Sequence, residues 1–406
     1  MNKFLILIIY CYSGFSQSTN FAFQQGEQLM KEKQYDEAIK KFQYVLRKDP
    51  YYYEAYYNMG IIALKRNEKE KAYDNFGMAI KTNSNYIEAY EQHAKLSMKL
   101  KKYKEGIADC NQLIRINAEK AKYYEMRAKF YQALQKEDKA YDDYLKAINF
   151  KTKNPDTYYQ AALIAEKQKK YSDFLKLLSQ TIKIKSDHTD ALYKRGMYYY
   201  THQDTTKANI DLISVYALKP EKYGELLPVT IGKIAFHNKK YKQALTYYNT
   251  VITKYQSKSA TIWLHKALCQ KYLNQFHEAL KTLNKATAYN KTNPQIYIER
   301  ALINDKLGKI QMAKNDFTKA INLDKKNPLP YYRRGLYFLE KEKFDAAITD
   351  FTKAIKYSKK PQANYFFYRG SCFFAIHQKD KACEDLTQAS ELGNAKAKKL
   401  KPEICY

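Results

Sequence analysis

Residues 294–327, PQIYIERALINDKLGKIQMAKNDFTKAINLDKKN, and residues 328–361, PLPYYRRGLYFLEKEKFDAAITDFTKAIKYSKKP, carry the same pattern of residue types. Each copy begins with a proline, has an aromatic residue at its fourth position and a small residue at its eighth. An alanine follows at position 20, a phenylalanine at position 24 and a second alanine at position 27. Ala313 and Ala347 are therefore 34 residues apart, and a fixed period of this length indicates a repeat architecture.

The spacing within each copy predicts two helices. In the second copy, Tyr331 and Gly335 fall on one face of a first helix, while Ala347 and Phe351 share a face of a second. The small residues allow two antiparallel helices to approach closely, and the aromatic side chains fill the space beside them. A single hairpin of this kind cannot bury both faces, so each hairpin is expected to stack on its neighbours.

The position-20 residue recurs along most of the chain at spacings of 34 to 36 residues. This phase predicts eleven repeats between about residue 19 and about residue 396. Phe174 stands where a small residue belongs, so we expect the fifth hairpin to pack differently or the phase to slip there. The position-20 residues are Ala38, Ala72, Gly106, Ala140, Phe174, Ala208, Ala244, Ala279, Ala313, Ala347 and Ala382.

The pattern of an aromatic residue, a small residue, Ala, Phe, Ala and a closing Pro over 34 residues resembles the tetratricopeptide repeat family. The resemblance covers nearly all of the chain except its two ends. It implies an all-α fold, an α–α superhelical solenoid of about eleven helical hairpins. The segment LGNAKAKKL at 392–400 is interpreted as the polar capping helix that the exposed end of a solenoid needs.

The phase also predicts the domain organisation. Residues 17–222 form an N-terminal array of about six repeats, and residues 223–396 form a continuous C-terminal array of about five, followed by a cap and tail at 397–406. The stretch LKPEKYGELLPVT at 218–230 holds the two extra residues of the spacing. Because proline is tolerated only in the first turn of a helix, Pro228 predicts a helix that begins late. The stretch is interpreted either as a hinge or as an ordinary lengthened loop.

The first residues, MNKFLILIIYCYSGFSQ, lie outside the array and have the pattern of a secretory signal peptide. A basic residue precedes an apolar run, and small residues end it, which predicts a signal peptide at 1–16 and cleavage before Gln17. The segment resembles leader peptides of the Bacteroidetes group. Cys11 follows Tyr10, where a lipoprotein signal needs a small residue, which argues against a lipid anchor. We therefore expect an exported protein, periplasmic or associated with the cell envelope, with no transmembrane segment in the mature chain.

The chain carries a formal net charge of +29, from 71 Lys and Arg against 42 Asp and Glu. The lysines are spread through every repeat, and the sequence contains no arginine-rich segment or tight basic cluster. Specific nucleic-acid binding is therefore not expected. A diffuse preference for acidic partners fits this distribution better.

Five cysteines remain beyond the leader, and none has the CxxC spacing of a metal site. The seven histidines are scattered, so neither a metal nor another cofactor is expected. In an oxidising compartment, two of Cys372, Cys383 and Cys405 are candidates for a disulfide, and the favoured pair is Cys383 with Cys405, which would tie the cap to the last hairpin. Free thiols are the alternative.

We find no catalytic motif, neither a phosphate-binding glycine loop nor a nucleophile or metalloprotease signature, and no residues are left over for a fused enzyme. The protein is therefore expected not to be an enzyme.

The resemblance implies a concave groove lined by positions 5, 9 and 12 of each first helix. Family members that bind a C-terminal carboxylate have Lys and Asn on this face, and that arrangement is missing here. The alternative is that many of these side chains pack against their own neighbours. The candidate groove residues are Tyr57, Ile61, Leu64, Tyr193, Met197, Tyr200, Tyr332, Leu336, Leu339, Phe367, Ser371 and Phe374.

In the last two repeats, Tyr332, Leu336, Leu339, Phe367 and Phe374 are expected to form one apolar strip, covered either by a partner or by the C-terminal helix of the chain itself. The leading functional hypothesis is a non-enzymatic interaction scaffold of the cell envelope that binds a protein segment in this groove. A structural component of an envelope secretion or outer-membrane assembly is the second hypothesis. A polyanion- or RNA-binding solenoid, based on charge alone, is the third.

Overall fold

The computed structural model describes residues 18–405, which form α-helices joined by short turns and contain no β-strand. The expected signal peptide at 1–16, with Cys11 and the cleavage site before Gln17, lies outside the described residues. The chain divides between Tyr198 and Tyr199 into two compact units.

The first unit consists of helices paired in sequence, with a turn of three residues inside each pair. Its helices are α1 (18–31), α2 (Tyr35–Lys48), α3 (Tyr53–Lys65), α4 (Lys69–Thr82), α5 (Ile87–Lys99), α6 (Tyr103–Ile116), α7 (Ala121–Ala133), α8 (Glu137–Asn149), α9 (Pro155–Lys167), α10 (Tyr171–Ile184) and most of α11 (Thr189–Thr201).

The second unit continues the same pattern and ends in one additional helix. Its helices are α12 (Thr205–Leu218), α13 (Leu226–His237), α14 (Tyr241–Lys254), α15 (Ala260–Tyr272), α16 (Phe276–Tyr289), α17 (Pro294–Lys306), α18 (Ile310–Leu323), α19 (Pro328–Glu340), α20 (Phe344–Tyr357), α21 (Ala363–Ala375), α22 (Lys379–Glu391) and α23 (Ala395–Cys405). The described residues thus contain eleven consecutive helix pairs and a final helix, as the phase of the sequence predicts.

Asparagine and proline start several first helices. The side-chain oxygen of Asn327 accepts a hydrogen bond from the N–H of Leu329 at 3.0 Å, and Pro328 occupies the first helical position. Proline is favourable there because its missing N–H would have no intrahelical partner. Asn154 and Asn293 cap α9 and α17 in the same way.

The turn inside each helix pair has a recurring left-handed residue at position 15. The N–H groups after α19 show what this turn does: Glu342 donates to the carbonyl of Leu339 at 3.0 Å and Lys343 to that of Phe338 at 2.9 Å. Both bonds satisfy carbonyls that the end of a helix leaves without partners. The residues, with φ between 55° and 72°, are Lys33, Asn67, Lys101, Gln135, Lys169, Gln203, Lys239, Asn274, Gly308, Glu342 and His377.

The close approach of the two helices depends on glycine facing phenylalanine. A Cβ atom added to Gly335 would lie 2.7 Å from the ring of Phe351, and one added to Gly60 would lie 2.7 Å from the ring of Phe76. Both rings are fully buried. The small residue at position 8 therefore makes room for the phenylalanine at position 24, as the sequence predicts.

The fifth hairpin keeps the register of the others despite its unusual sequence. The helices α9 and α10 have the same lengths as α3 and α4, so the phase does not slip. Phe174 at position 20 is buried, and Leu178 replaces the phenylalanine of position 24. The large side chain has moved by one helical turn, which is how this hairpin fills its core.

In hairpins of both units, an arginine at position 7 pairs with an aspartate at position 23. In each pair, two guanidinium nitrogens donate to the two carboxylate oxygens of the aspartate, and the aspartate side chain is at most 9% exposed. The pairs are Arg127–Asp143, Arg300–Asp316, Arg334–Asp350 and Arg369–Asp385.

The two extra residues of the stretch 218–230 lie in a lengthened turn between α12 and α13. The helix α13 begins at Leu226, which places Pro228 in its first turn, and Gly224 adopts a φ of 57° before it. The hydroxyl of Tyr255 donates to the carbonyl of Pro220 at 3.3 Å and holds the turn against α14. The domain boundary at 222/223 and the hinge remain predictions.

The final helix packs on the last hairpin. Ala397 and Ile404 of α23 are buried in one cluster with Phe367 and Leu386. Cys383 of α22 and Cys405 of α23 are joined by a disulfide, with their Cα atoms 5.5 Å apart. The helix begins at residue 395, between the two starts, 392 and 397, that the sequence suggested.

Candidate functional site

Three adjoining pockets lie along the first helices of the second unit. The largest, of about 600 Å³, is here called the aromatic–basic pocket. Two of its rings, Tyr241 and Tyr272, stack with centroids 4.5 Å apart and planes 10° apart. Phe236 meets both edge-on. The lining residues are Tyr200, Gln203, Thr205, Lys233, Ile234, Phe236, His237, Lys239, Tyr241 and Tyr272.

The charge of this pocket is basic. Lys233, His237 and Lys239 are exposed around the aromatic rings, and no Asp or Glu is among the lining residues. Tyr272 is 52% exposed, although it is large and aromatic. A partner could therefore bury the outer part of this ring.

The second pocket, of about 190 Å³, shares Lys233 with the first and is here called the tyrosine pocket. Tyr248 is fully buried in its wall, and its hydroxyl has no hydrogen-bond partner among the described residues. Burial raises the pKa of Tyr248 above its usual range, so the hydroxyl keeps its proton. The lining residues are Glu225, Leu226, Val229, Lys233, Tyr248, Ser259, Thr261, Ile262 and His265.

The third pocket, of about 380 Å³, shares Tyr272 with the first and is here called the arginine pocket. Lys271 pairs with Glu299 at 2.8 Å, and Lys306 lies 3.6 Å from Glu340. Arg333 has no carboxylate partner within residues 18–405, and its Nε atom is buried there without a hydrogen bond. The lining residues are Lys271, Tyr272, Asn274, Phe276, Leu302, Asp305, Lys306, Arg333, Leu336, Tyr337 and Glu340.

Two residues of the sequence-based groove line these pockets, Tyr200 and Leu336. Tyr332 and Leu339 lie beside Leu336, but all three are half-buried against a cluster that contains Phe351. The ring of Tyr332 is 4.7 Å from that of Tyr365, and burial raises its pKa. Part of each of these side chains is therefore buried in the packing of the hairpins, and only the remainder is exposed.

The apolar strip expected in the last two repeats is not continuous, because its two phenylalanines are separated. Phe367 is only 9% exposed and packs with Ala397 and Ile404 of α23. This is the internal cover that the sequence allowed as an alternative, and it removes Phe367 from the groove. Phe374 is 48% exposed, and Ser371 bonds back to the carbonyl of Phe367.

In the first unit, the candidate residues of the second hairpin pack within their own hairpin and against the start of the next one. Tyr57, Ile61 and Leu64 are half-buried against a cluster that contains Phe76, and the ring of Tyr57 is 5.1 Å from that of Tyr86. Tyr193 and Met197 of α11 are also half-buried. Sequence reasoning correctly placed these residues on first helices, but it did not separate packing from an open surface.

Several lining residues were missed, although the sequence contained a signal for two of them. Lys233 and Phe236 occupy positions 9 and 12 of the seventh repeat, counted from Ala244. The groove rule selects them as soon as it is applied there, but Pro228 makes the start of this repeat atypical. Tyr248 lies on a second helix, and no groove rule points to it.

The described residues offer no evident reactive centre. Cys110, Cys269 and Cys372 are buried free thiols, and burial raises the pKa of Cys269 and Cys372 to about 12. No group of three or more His, Cys, Asp or Glu side chains among residues 18–405 is placed to hold a metal ion. No described helix is long and apolar enough to cross a membrane.

Stacked helix pairs with pockets along their first helices define a helical-repeat protein, a class consistent with a protein–protein interaction scaffold. Tetratricopeptide repeat sequence profiles match residues 29–90, 87–120, 260–293, 294–327 and 332–391, together more than half of the chain. The chain belongs to the tetratricopeptide repeat family. No curated protein sequence matches it.

Solved structures of this fold resemble the chain at low sequence identity. The Cut9–Hcn1 hetero-tetramer of APC/C is 14% identical, with a TM-score of 0.42, and the match covers 98% of this chain and 92% of that one. Yeast Tom70 is 14% identical, with a TM-score of 0.38 and coverage of 90% and 97%. A tetratricopeptide repeat protein from Parabacteroides merdae is 15% identical, with a TM-score of 0.35 and coverage of 71% and 99%.

Proposed function

We propose that this protein is a non-enzymatic interaction scaffold that binds a protein segment along the first helices of its second unit. The observation that carries the proposal is the set of three adjoining pockets joined by Lys233 and Tyr272. Their walls combine exposed aromatic surface with polar groups that lack partners among the described residues. Sites for side chains of a bound chain have this composition, since apolar contact supplies affinity and a few polar groups supply specificity.

Tyr272 is the residue on which binding energy should concentrate. It lies where the aromatic–basic pocket and the arginine pocket meet, and about half of its surface is open to solvent. Large aromatic side chains that become buried at the centre of an interface contribute most to affinity. Tyr272 is therefore the proposed centre of the binding site, and one substitution there tests the proposal.

The test is selection of short random peptides on the intact protein, followed by affinity measurement on variants. Tyr272→Ala should weaken binding of the selected peptides by about thirtyfold, because it removes the ring that the peptide would cover. Tyr51→Ala removes a tyrosine that is 76% exposed in the first unit and serves as the matched control. If the selected peptides bind Tyr272→Ala as tightly as the unaltered protein, the groove is not the binding site.

The cellular location is part of the same proposal. We infer export to the periplasm or cell envelope, by a route of the Bacteroidetes type, from the signal-peptide pattern of residues 1–16. The Cys383–Cys405 disulfide supports it, because disulfides persist in oxidising compartments. A structural role in an envelope assembly remains the second hypothesis, since such a role would use surfaces other than the pockets.

A further inference from the structure

Lys233 stands at the junction of two pockets and has no partner within residues 18–405. It lines both the aromatic–basic pocket and the tyrosine pocket, and its side chain is exposed. No ion pair or side-chain hydrogen bond among the described residues includes the Lys233 ammonium group, and Lys239 and His237 beside it are also without carboxylate partners there. Two unpaired lysines in a concave site attract an anion.

Tyr248 provides a second and independent observation. Its side chain is fully buried, lines the same pocket as Lys233, and has a hydroxyl for which the described part of the chain offers no hydrogen-bond partner. Buried polar groups in folded proteins nearly always have a partner, because an unsatisfied one costs the free energy of desolvation. The missing partner of a protonated hydroxyl donor is an acceptor oxygen.

The other charged and titratable groups of the tyrosine pocket are Glu225 and His265. Glu225 would repel a second carboxylate, but it makes no ion pair with Lys233 and is exposed at the start of α13. The aromatic rings of the neighbouring pocket would favour a bound cation by themselves. The ammonium groups of Lys233 and Lys239 lie around those rings and would repel a bound cation, so the pocket favours an anion with an apolar neighbour.

We propose that these two pockets bind an acidic segment of a partner protein, with an Asp or Glu carboxylate at Lys233 and the Tyr248 hydroxyl. The adjacent apolar side chain of the segment lies against Phe236 and Tyr272. This inference rests on the proposed function, and it adds the chemistry of the partner. One bound carboxylate would give both the Tyr248 hydroxyl and the Lys233 ammonium group a partner.

A protein segment fits the site better than a nucleic acid does. Tyr241 and Tyr272 stack on each other with centroids 4.5 Å apart, so no base can enter between their faces. The two lysines of the aromatic–basic pocket, Lys233 and Lys239, do not by themselves form the track that a phosphate backbone needs.

The experiment uses the peptides selected on the intact protein. We expect them to be enriched in Asp or Glu next to an aliphatic or aromatic residue. Lys233→Glu should weaken their binding by about tenfold or more, as loss of a charge-assisted contact implies, whereas Lys233→Gln should have a smaller effect. Lys285→Glu makes the same charge change at an exposed lysine of α16 outside the pockets and is the matched control.

Tyr248→Phe separates binding from packing. It keeps the ring and removes only a hydroxyl that has no partner in the described chain, so the melting temperature should stay the same or rise. Affinity for the acidic peptides should nevertheless fall severalfold. If affinity is unchanged, the hydroxyl does not contact the ligand and that part of the proposal is wrong.

The outcomes distinguish an incorrect partner chemistry from an incorrect binding site. Peptides that require Tyr272 but are neutral or basic would leave the groove in place and overturn the acidic partner. Peptides that are insensitive to both Tyr272→Ala and Lys233→Glu would overturn the groove itself. A single-stranded RNA oligonucleotide that binds more tightly than the peptides, and that loses binding in Lys233→Glu, would show that the site serves a nucleic acid.

Discussion

Arg334 and Asp350 form a two-point ion pair between the two helices of one hairpin. The Nε and Nη2 atoms of Arg334 lie 2.7 and 2.8 Å from the Oδ2 and Oδ1 atoms of Asp350. The aspartate side chain is 2% exposed and the arginine side chain 21% exposed. The pair is therefore largely buried, and the same geometry recurs in other hairpins, for example between Arg127 and Asp143.

Removing one partner should be far more damaging than removing both. Arg334→Met leaves the carboxylate of Asp350 buried without its cation, and we expect a loss of about 3–5 kcal/mol in the free energy of unfolding. The double variant Arg334→Met with Asp350→Leu should recover most of that loss, because no charge remains buried. Urea denaturation checks both. A loss below about 1 kcal/mol in the single variant would show that the pair behaves as a surface pair.

Two glycines on adjacent helices should respond to alanine in opposite directions. Gly60→Ala would place its Cβ 2.7 Å from the ring of Phe76 and should cost about 1–3 kcal/mol. Gly77→Ala would meet only the Nε2 atom of His93 at 3.5 Å, an ordinary contact, and should gain up to about 1 kcal/mol from helix propensity. Thermal unfolding of the two variants is the measurement. Equal shifts would mean that the glycine–phenylalanine contact is not as close as the structure has it.

The disulfide should stabilise the final helix more than the rest of the second unit. It closes a segment of 22 residues, and replacing both Cys383 and Cys405 by Ser should cost roughly 3 kcal/mol. We expect hydrogen exchange to accelerate first in α23, where Phe367 would lose its cover. Reductant should have this effect on the unaltered protein and none on the double variant, which is the internal control. No change on reduction would show that the two thiols are not joined.

The three buried thiols should resist alkylation in the native protein. Burial raises the pKa of Cys269 and Cys372 to about 12 and raises that of Cys110 as well. Since the folded state holds these protons more tightly than the unfolded state, the thiols favour folding below about pH 9, and this contribution falls between pH 9 and 12. At pH 8, iodoacetamide should label them only after denaturation. Fast labelling of any of the three at that pH, without denaturant, would contradict their burial.

The processed protein should begin at Gln17. The basic, apolar and small-residue pattern before it predicts cleavage by signal peptidase. Intact-mass analysis of the protein recovered from its native cells measures the start directly. An intact Met1 would disprove processing, and a lipid on Cys11 would point to membrane anchoring instead.

The fold could be predicted from the sequence because the same helix-pair pattern recurs along the chain. Ala313, Ala347 and their equivalents set the phase, and that phase predicted even the fifth hairpin, where Phe174 and Leu178 exchange sizes. The ion pairs were missed because a charged residue in a helix is usually solvated, and only contact across the hairpin shows that Asp350 is buried.

The site was predicted less well, for a physical reason. A position on the groove-facing side of a first helix can be open or covered by the next hairpin, and periodicity does not distinguish the two. Tyr332 and Phe367 have the same position in successive repeats, yet α23 buries only Phe367. The unpaired hydroxyl of Tyr248 has no signature in the sequence at all, because it depends on which groups are absent around it.

The ion pairs and the glycine–phenylalanine contacts share one property, since both close within a hairpin, across 16 residues. Around Phe317 and Phe351, the buried surface that neighbouring hairpins share is mostly apolar. Duplication or loss of one whole repeat in evolution would therefore leave every such pair in the other repeats intact. We therefore expect the length of this chain to change by whole repeats more readily than a paired residue inside one hairpin can change alone.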